Sequence, residues 1–203
     1  NADNNRKNNS NSLNYHTIYS IDTLGTKIFA DIDYFKFNKT ENRTFESNSL
    51  NSDYSTIPNS FFSANNGTET DFTNFSGKID VDMPLKWVSL SYGGKTSFSK
   101  NIGDVSFYNL TSGNPIFDPN QSNKFEYKEN INALYFSGTK KIGKKWETQF
   151  GIRMEATNTK GISTTLNQEN TNNYIKFFPT IYLVYNYNDD NSFSINYSKR
   201  INR

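Results

Sequence analysis

The stretch from Trp146 to Ala156, W-E-T-Q-F-G-I-R-M-E-A, limits what this chain can fold into more than any other. In an extended strand Trp146, Thr148, Phe150, Ile152, Met154 and Ala156 point one way. Glu147, Gln149, Gly151, Arg153 and Glu155 point the other, because strand side chains alternate with period two. One face is therefore apolar and the other polar and charged. About eleven residues at roughly 3.3 Å each can cross the ~25 Å apolar band of a transmembrane β-barrel at a ~45° tilt. Strands of soluble sandwiches alternate too, but usually run roughly 5–6 residues. The apolar face is meant either for a protein core or for lipid.

Composition bears on that choice. Of 203 residues only 33% are hydrophobic, and mean hydropathy is -0.80. Such polarity would suggest disorder, but disordered chains are poor in aromatics, and this one has 17 Phe and 13 Tyr. Many aromatics among Asn, Ser and Thr fit long alternating strands with wet faces, and the aromatic girdles of a membrane barrel. The 22 basic and 20 acidic residues are interspersed, so no basic stripe points to nucleic acid. Without cysteine there is neither a disulfide framework nor a thiolate metal site. No run of ~18 apolar residues could form a transmembrane helix, which says nothing against a barrel.

Taken in order, residues 1–12 read as a flexible tail or loop, and residues 13–203 as a single β domain. Leu13, Tyr15, Thr17, Tyr19 and Ile21 alternate on a first strand. A turn at 22–25, with Gly25 supplying a positive φ, leads into a second strand at 26–38. Residues 43–50 form a weaker strand, and 51–70 a polar loop carrying Phe61, Phe62 and an Asn66-Gly67 turn. Loop aromatics either pack the loop down or contact a ligand. Strands follow at 71–83, closed by Pro84, and at 87–99. Gly93-Gly94 in mid-strand marks a bend, a bulge or a close approach by a neighbour. Further strands cover 103–110, 125–140, 174–188 and 192–198, with loops at 111–124 and 158–173 and tight turns at 142–145 and 188–191. The fold class is thus all-β, an antiparallel meander of about eight to ten strands. Its short turns alternate with longer polar loops, as in a transmembrane barrel.

Candidate sites are few. Glu147, Arg153 and Glu155 share one face of the Trp146 strand and are candidates for the wall of a barrel lumen; a solvated face with weak cross-strand pairs is the alternative. Asp31 with Asp33, and Asp80 with Asp82, are same-face carboxylate pairs. Such pairs could hold a hard cation or run glycosidase chemistry. Neither pair sits in a loop with further oxygen ligands, so no metal, cofactor or catalytic residue is expected. His16 is the only histidine, which leaves a triad or zinc site without support.

Four segments in order resemble the barrel region of Bacteroidetes-type outer-membrane β-barrel proteins related to TonB-dependent receptors. They are Tyr19–Gly25 leading into Phe29–Tyr34; Lys78–Leu85 with Ser91–Thr96; Phe125–Tyr135 with Gly151–Thr157; and Phe177–Tyr185 leading to Ser194–Arg203. The resemblance implies a segment from inside a barrel of about 22 strands. It further implies a bacterial outer-membrane location, contact with the bilayer and lipopolysaccharide, a plug domain and TonB engaged through regions outside this chain, and ligand uptake rather than catalysis. The extracellular loops would fall at 51–70, 111–124 and 158–173. A section cut from such a wall has two open sheet edges, which favour self-association. A soluble or surface-attached β-sandwich that binds carbohydrate or protein is the second reading, and a barrel without transport the third.

Overall fold

The computed structural model describes residues 2–200. They form β1 (Ala2–Ser20), β2 (Lys27–Ser47), β3 (Phe62–Pro84), β4 (Ser89–Asn109), β5 (Ile116–Phe117), β6 (Asn123–Ile142), β7 (Trp146–Ser163), β8 (Gln168–Asn186) and β9 (Ser192–Ser198). All belong to one antiparallel sheet in the order β1-β2-β3-β4-β6-β7-β8-β9, with the short β5 folded back on β4. Each long strand pairs with its neighbours in sequence. Among the described residues β1 and β9 do not meet, so the sheet is an open piece of wall rather than a closed barrel. The expected all-β antiparallel meander is what the chain adopts.

Several boundaries differ from expectation. Residues 2–12, read as a tail or loop, are strand from Ala2 onward and pair with residues 35–45 of β2. Their sequence is polar on both faces and carries no alternation, yet the β2 edge supplies the ladder. Asn66-Gly67 lies inside β3 opposite Arg43 and Asn42, not in a turn. The expected loop at 158–173 shrinks to residues 164–167 because β7 and β8 run on as polar strands. A fourth short connection, at 85–88, joins β3 to β4.

The register carries each face across the whole sheet. Thr17, Ala30, Ile79, Gly94, Leu134, Met154 and Phe177 form one cross-strand row. Tyr19, Ile28, Val81, Tyr92, Phe136, Ile152 and Pro179 form the next toward the short turns. This apolar face is open: Ile79 is 58% and Leu134 61% exposed. The opposite, polar face is crowded. Glu155, Thr157, Thr159, Ser76, Ala133 and Phe178 are buried there, while no large side chain among the described residues is fully buried. In a single curved layer side chains converge on the concave side, so the crowded face is the concave one. A soluble domain buries an apolar face against a second layer; here no second layer exists among the described residues.

Where the apolar belt lies on each strand gives the strand tilt. Tyr19 of β1 stands in the row of Pro179, but in β8 the belt continues six residues further, to Tyr185 opposite Phe193. A slide of about six residues at ~3.3 Å, over about six strand spacings of ~4.8 Å, corresponds to a tilt of roughly 35° if the belt is level. Membrane barrels tilt by about that much. Both tryptophans lie at the short-turn rim of the belt. Trp146 stacks on Tyr185 with centroids 4.6 Å apart, and the Lys140 ammonium lies 5.5 Å from the Trp87 ring. Aromatic rings with lysines around them are characteristic of a membrane–water boundary.

The two ends of the wall are built differently. At the first short turn the Asp22 carboxylate accepts the N–H groups of Leu24, at 2.9 Å, and of Thr26, at 3.0 Å. Hydrogen bonding to the Thr26 side chain and then its backbone holds Asp22 below the usual carboxylate range. Because the folded pKa is depressed, Asp22 stabilises the turn above about pH 3.8 and loses that effect as pH falls through its lower folded value. Asp22→Ala should therefore weaken the folded form near neutral pH and match wild type in stronger acid, in urea titrations followed by gel mobility. At the far end, Phe45 packs on Phe62 and Phe107 at 5.9 and 6.4 Å. Tyr108 packs on Phe117 at 5.5 Å. Phe62, read from the sequence as a loop aromatic, is instead the first residue of β3, and its ring contact is with Phe45 of β2.

Candidate functional site

The chemistry of this chain is concentrated on the concave face, in two adjacent rows level with the apolar belt. One row holds His16, Asp31, Lys78, Lys95, Ala133, Glu155 and Lys176; the other holds Ile18, Phe29, Asp80, Gly93, Tyr135, Arg153 and Phe178. These residues come from seven strands. Period-two alternation puts them on one face, and the register aligns them.

Lys78 is the hub of the β2–β3 side. Its ammonium is 2.5 Å from Asp80 and 3.7 Å from Asp31. Asp31 also meets the imidazole of His16 in a short contact. Two residues along β2, Asp33 accepts hydrogen bonds from Asn14 at 2.5 Å and from Ser76 at 3.1 Å. Asp82 accepts one from Ser91 at 2.5 Å. Both carboxylate pairs noted in the sequence are thus divided among cationic and hydroxyl or amide partners, and no group of metal-ligating side chains occurs among the described residues.

On the β6–β7 side, Arg153 is 2.6 Å from Glu155, and its guanidinium lies 5.1 Å from the centroid of the Tyr135 ring. The Tyr135 hydroxyl donates to Asp80, which joins this cluster to the Lys78 hub across β4. Gly93 makes that crossing possible. A Cβ there would stand 2.5 Å from the Ile79 carbonyl oxygen and 2.9 Å from the Tyr135 ring. The tyrosine lies over the bare glycine backbone and reaches a carboxylate two strands away. This settles the Gly93-Gly94 question as a close approach at Gly93.

Of the three lumen candidates, Arg153 and Glu155 join this network. Glu147 shares their face but sits at the short-turn rim, paired with Lys141 at 2.8 Å. His16, Lys78 and Tyr135 belong to the network although strand periodicity alone did not single them out as partners. Lys95 faces Lys78 directly across the ladder and has no anionic partner among the described residues. The concavity over this region has a volume of about 680 Å³ and is lined by Asp31, Lys78, Lys95, Tyr135 and Arg153 among others. It offers mixed charge and hydrogen-bonding groups, an arrangement suited to recognition rather than to covalent chemistry.

A sequence profile of the outer membrane protein beta-barrel family matches residues 19–203. The chain belongs to that family. The crystal structure of the ferric-catecholate import receptor Fiu from K12 E. coli, in its closed form, is similar in fold, with TM-score 0.58 at 11% identity over 96% of this chain and 33% of that one. The unliganded ferric citrate transporter FecA has TM-score 0.43 at 11% identity, over 90% of this chain and 34% of that one. The barrel chain therefore spans about a third of the length of these solved receptors. No curated protein sequence matches it.

Proposed function

We propose that this chain is a section of the wall of a TonB-dependent receptor-like transporter in the bacterial outer membrane. Its apolar face meets lipid. Its concave face, with Arg153, Glu155 and the Lys78 hub, lines the lumen and contacts a plug domain. The ends that carry the 48–61 and 110–122 connections face the cell exterior, where ligand is captured, and the short turns face the periplasm. TonB acts through the plug, outside this chain. The observation that carries the reading is the single-layer sheet with a continuous apolar belt on one face and a joined charge network on the other. The open edges of β1 and β9 then pair with further strands of a longer chain, or with a second copy when the piece is isolated. The single layer weighs against the β-sandwich binding module, which requires a second sheet.

The experiment uses the full-length receptor in lipid vesicles, with single cysteines at Leu134 and Lys95; the chain itself has none. An aqueous maleimide should leave position 134 unlabelled until detergent is added. It should label position 95 slowly, and several-fold faster once the plug is deleted. Rapid labelling at 134 in vesicles would overturn the membrane orientation. Plug-independent labelling at 95 would overturn the lumen assignment.

A further inference from the structure

The concave face carries a second concavity, beyond the charge network and beside the 164–167 turn. Three rows of the register build it. Phe125, Ser163 and Gln168 form one, Tyr127, Gly161 and Asn170 the next, and Glu129, Thr159 and Asn172 the third. Along the strands the same residues make three columns. β6 contributes two aromatic rings and a carboxylate, β7 contributes small residues, and β8 contributes three amides. A strand of short side chains between two strands of longer ones makes a trough. Its volume is about 730 Å³, and Phe125, Tyr127, Gly161 and the three amides line it.

Each wall has its own chemistry. The Phe125 ring lies beside the bare backbone of Gly161, where a Cβ would stand 3.3 Å from it. The ring is 41% exposed, so it is open to a ligand. On the opposite wall Asn172 donates to Asn170 at 3.4 Å. The side-chain amide of Gln168 and the amide nitrogen of Asn170 have no protein partner among the described residues. A carboxamide both donates and accepts, as a hydroxyl does. The floor is closed, with Thr159 and Ser163 buried. Strands lie ~4.8 Å apart and rise ~3.3 Å per residue, so the walls stand about 10 Å apart and the trough runs about 13 Å.

Among the described residues no lysine or arginine faces the trough. On β4, β6, β7 and β8 these three rows hold one charged side chain on this face, Glu129. Lys128 and Lys160 belong to the opposite face by alternation. An anionic ligand, such as a phosphate ester or a chelate built on catecholates, would give up its water here with no cation to meet it. A ligand with apolar faces and a rim of neutral hydroxyls fits instead. Its ring C–H faces stack on Phe125 and Tyr127, and its hydroxyls pair with the amides. We propose that this trough is a binding subsite for an uncharged oligosaccharide, with about two to three sugar rings lying along β7. It rests on the membrane-wall reading, in which this face lines the lumen and this end of the strands opens to the cell exterior.

The test presents the labelled full-length receptor, in detergent, to an array of immobilised neutral and acidic glycans. Neutral glycans should retain it and acidic ones should not. The neutral glycan that retains it best is then titrated, as the free saccharide, by calorimetry. Phe125→Ala and Tyr127→Ala should each weaken that affinity about tenfold, as loss of an aromatic anchor does. Gly161→Leu, which fills the middle of the trough, should abolish it. The Q168A/N170A variant changes only exposed side chains, so it keeps the fold and should still lose about tenfold. Asn173→Ala, on the opposite face of β8, should bind as wild type does. Heat-dependent gel mobility confirms that each variant is folded. Retention by no neutral glycan, or by acidic ones in preference, would overturn the proposal, and so would wild-type affinity in Q168A/N170A and both aromatic variants. Plug-independent labelling at position 95 would remove the lumen reading itself, whereas a receptor that passes that test and binds no neutral glycan loses only the trough.

Discussion

Gly93→Ala is expected to destabilise the folded wall by roughly 3–5 kcal/mol. The added methyl meets the Ile79 carbonyl oxygen at 2.5 Å and the Tyr135 ring at 2.9 Å. Backbone cannot swing aside as a side-chain tip can, so the ladder or the ring must shift, at a cost of about 1–3 kcal/mol. Displacing the ring also breaks its hydrogen bond to the Asp80 carboxylate, a further ~1.5–3 kcal/mol. Two comparisons separate these effects. Tyr135→Phe keeps the ring over the glycine and loses only the hydrogen bond, so it should cost about 1.5–3 kcal/mol. At Gly94, on the apolar face, a Cβ would meet only the Leu134 methyl at 3.2 Å and the Ala133 carbonyl oxygen at 3.5 Å, and Gly94→Ala should cost below about 1 kcal/mol. Urea titrations of the full-length receptor in vesicles, followed by the unboiled gel band, should rank the variants in that order. An equal or reversed effect of the two glycine substitutions would mean that Tyr135 does not lie across β4.

The second large effect distinguishes a lipid-facing surface from a wet one. Leu134→Arg places a charge in mid-belt, where it should cost about 2–4 kcal/mol. Asn158→Arg, two rows nearer the long connections on the same face, should cost about 0–1 kcal/mol. If this face were solvated, both would be surface substitutions within about 0.5 kcal/mol. Leu134 is 61% exposed, so the arginine meets no steric obstacle and the comparison reads the surroundings rather than packing. Refolding yield and urea midpoint in vesicles of fixed thickness measure the difference.

Much of the wall was legible residue by residue. Alternation in 146–156, 78–83 and 193–197 assigns each side chain to a face, and the register then makes those faces continuous. Residues 125–140 read as mixed because β6 passes from one surrounding to another. Its outward Leu134 and Phe136 lie in the belt, while Phe125, Tyr127 and Ile131 are apolar residues of the concave face nearer the long connections. Residues 2–12 were missed for a related reason. Beyond the bilayer both faces of a strand are wet, so alternation vanishes although the hydrogen-bonded ladder continues. The Tyr135–Gly93–Asp80 crossing was out of reach because period two relates neighbours within a strand. Which residues of different strands lie side by side depends on a register set by connection lengths and the whole ladder.

The nearest-neighbour order of the strands has a consequence for how such a wall is made. Every long strand except the two outermost is flanked by the strands before and after it in sequence, and the connections at 85–88 and 143–145 are only a few residues long. No strand has to wait for a distant part of the chain. Each hairpin can dock on the edge left by the one before it, and in docking it exposes a fresh edge for the next. The unpaired side of a growing sheet, a hazard in a finished soluble protein, here serves as the template for growth. The polar upper half of β2 shows the same principle on a small scale, since it organises residues 2–12, which carry no strand signal of their own.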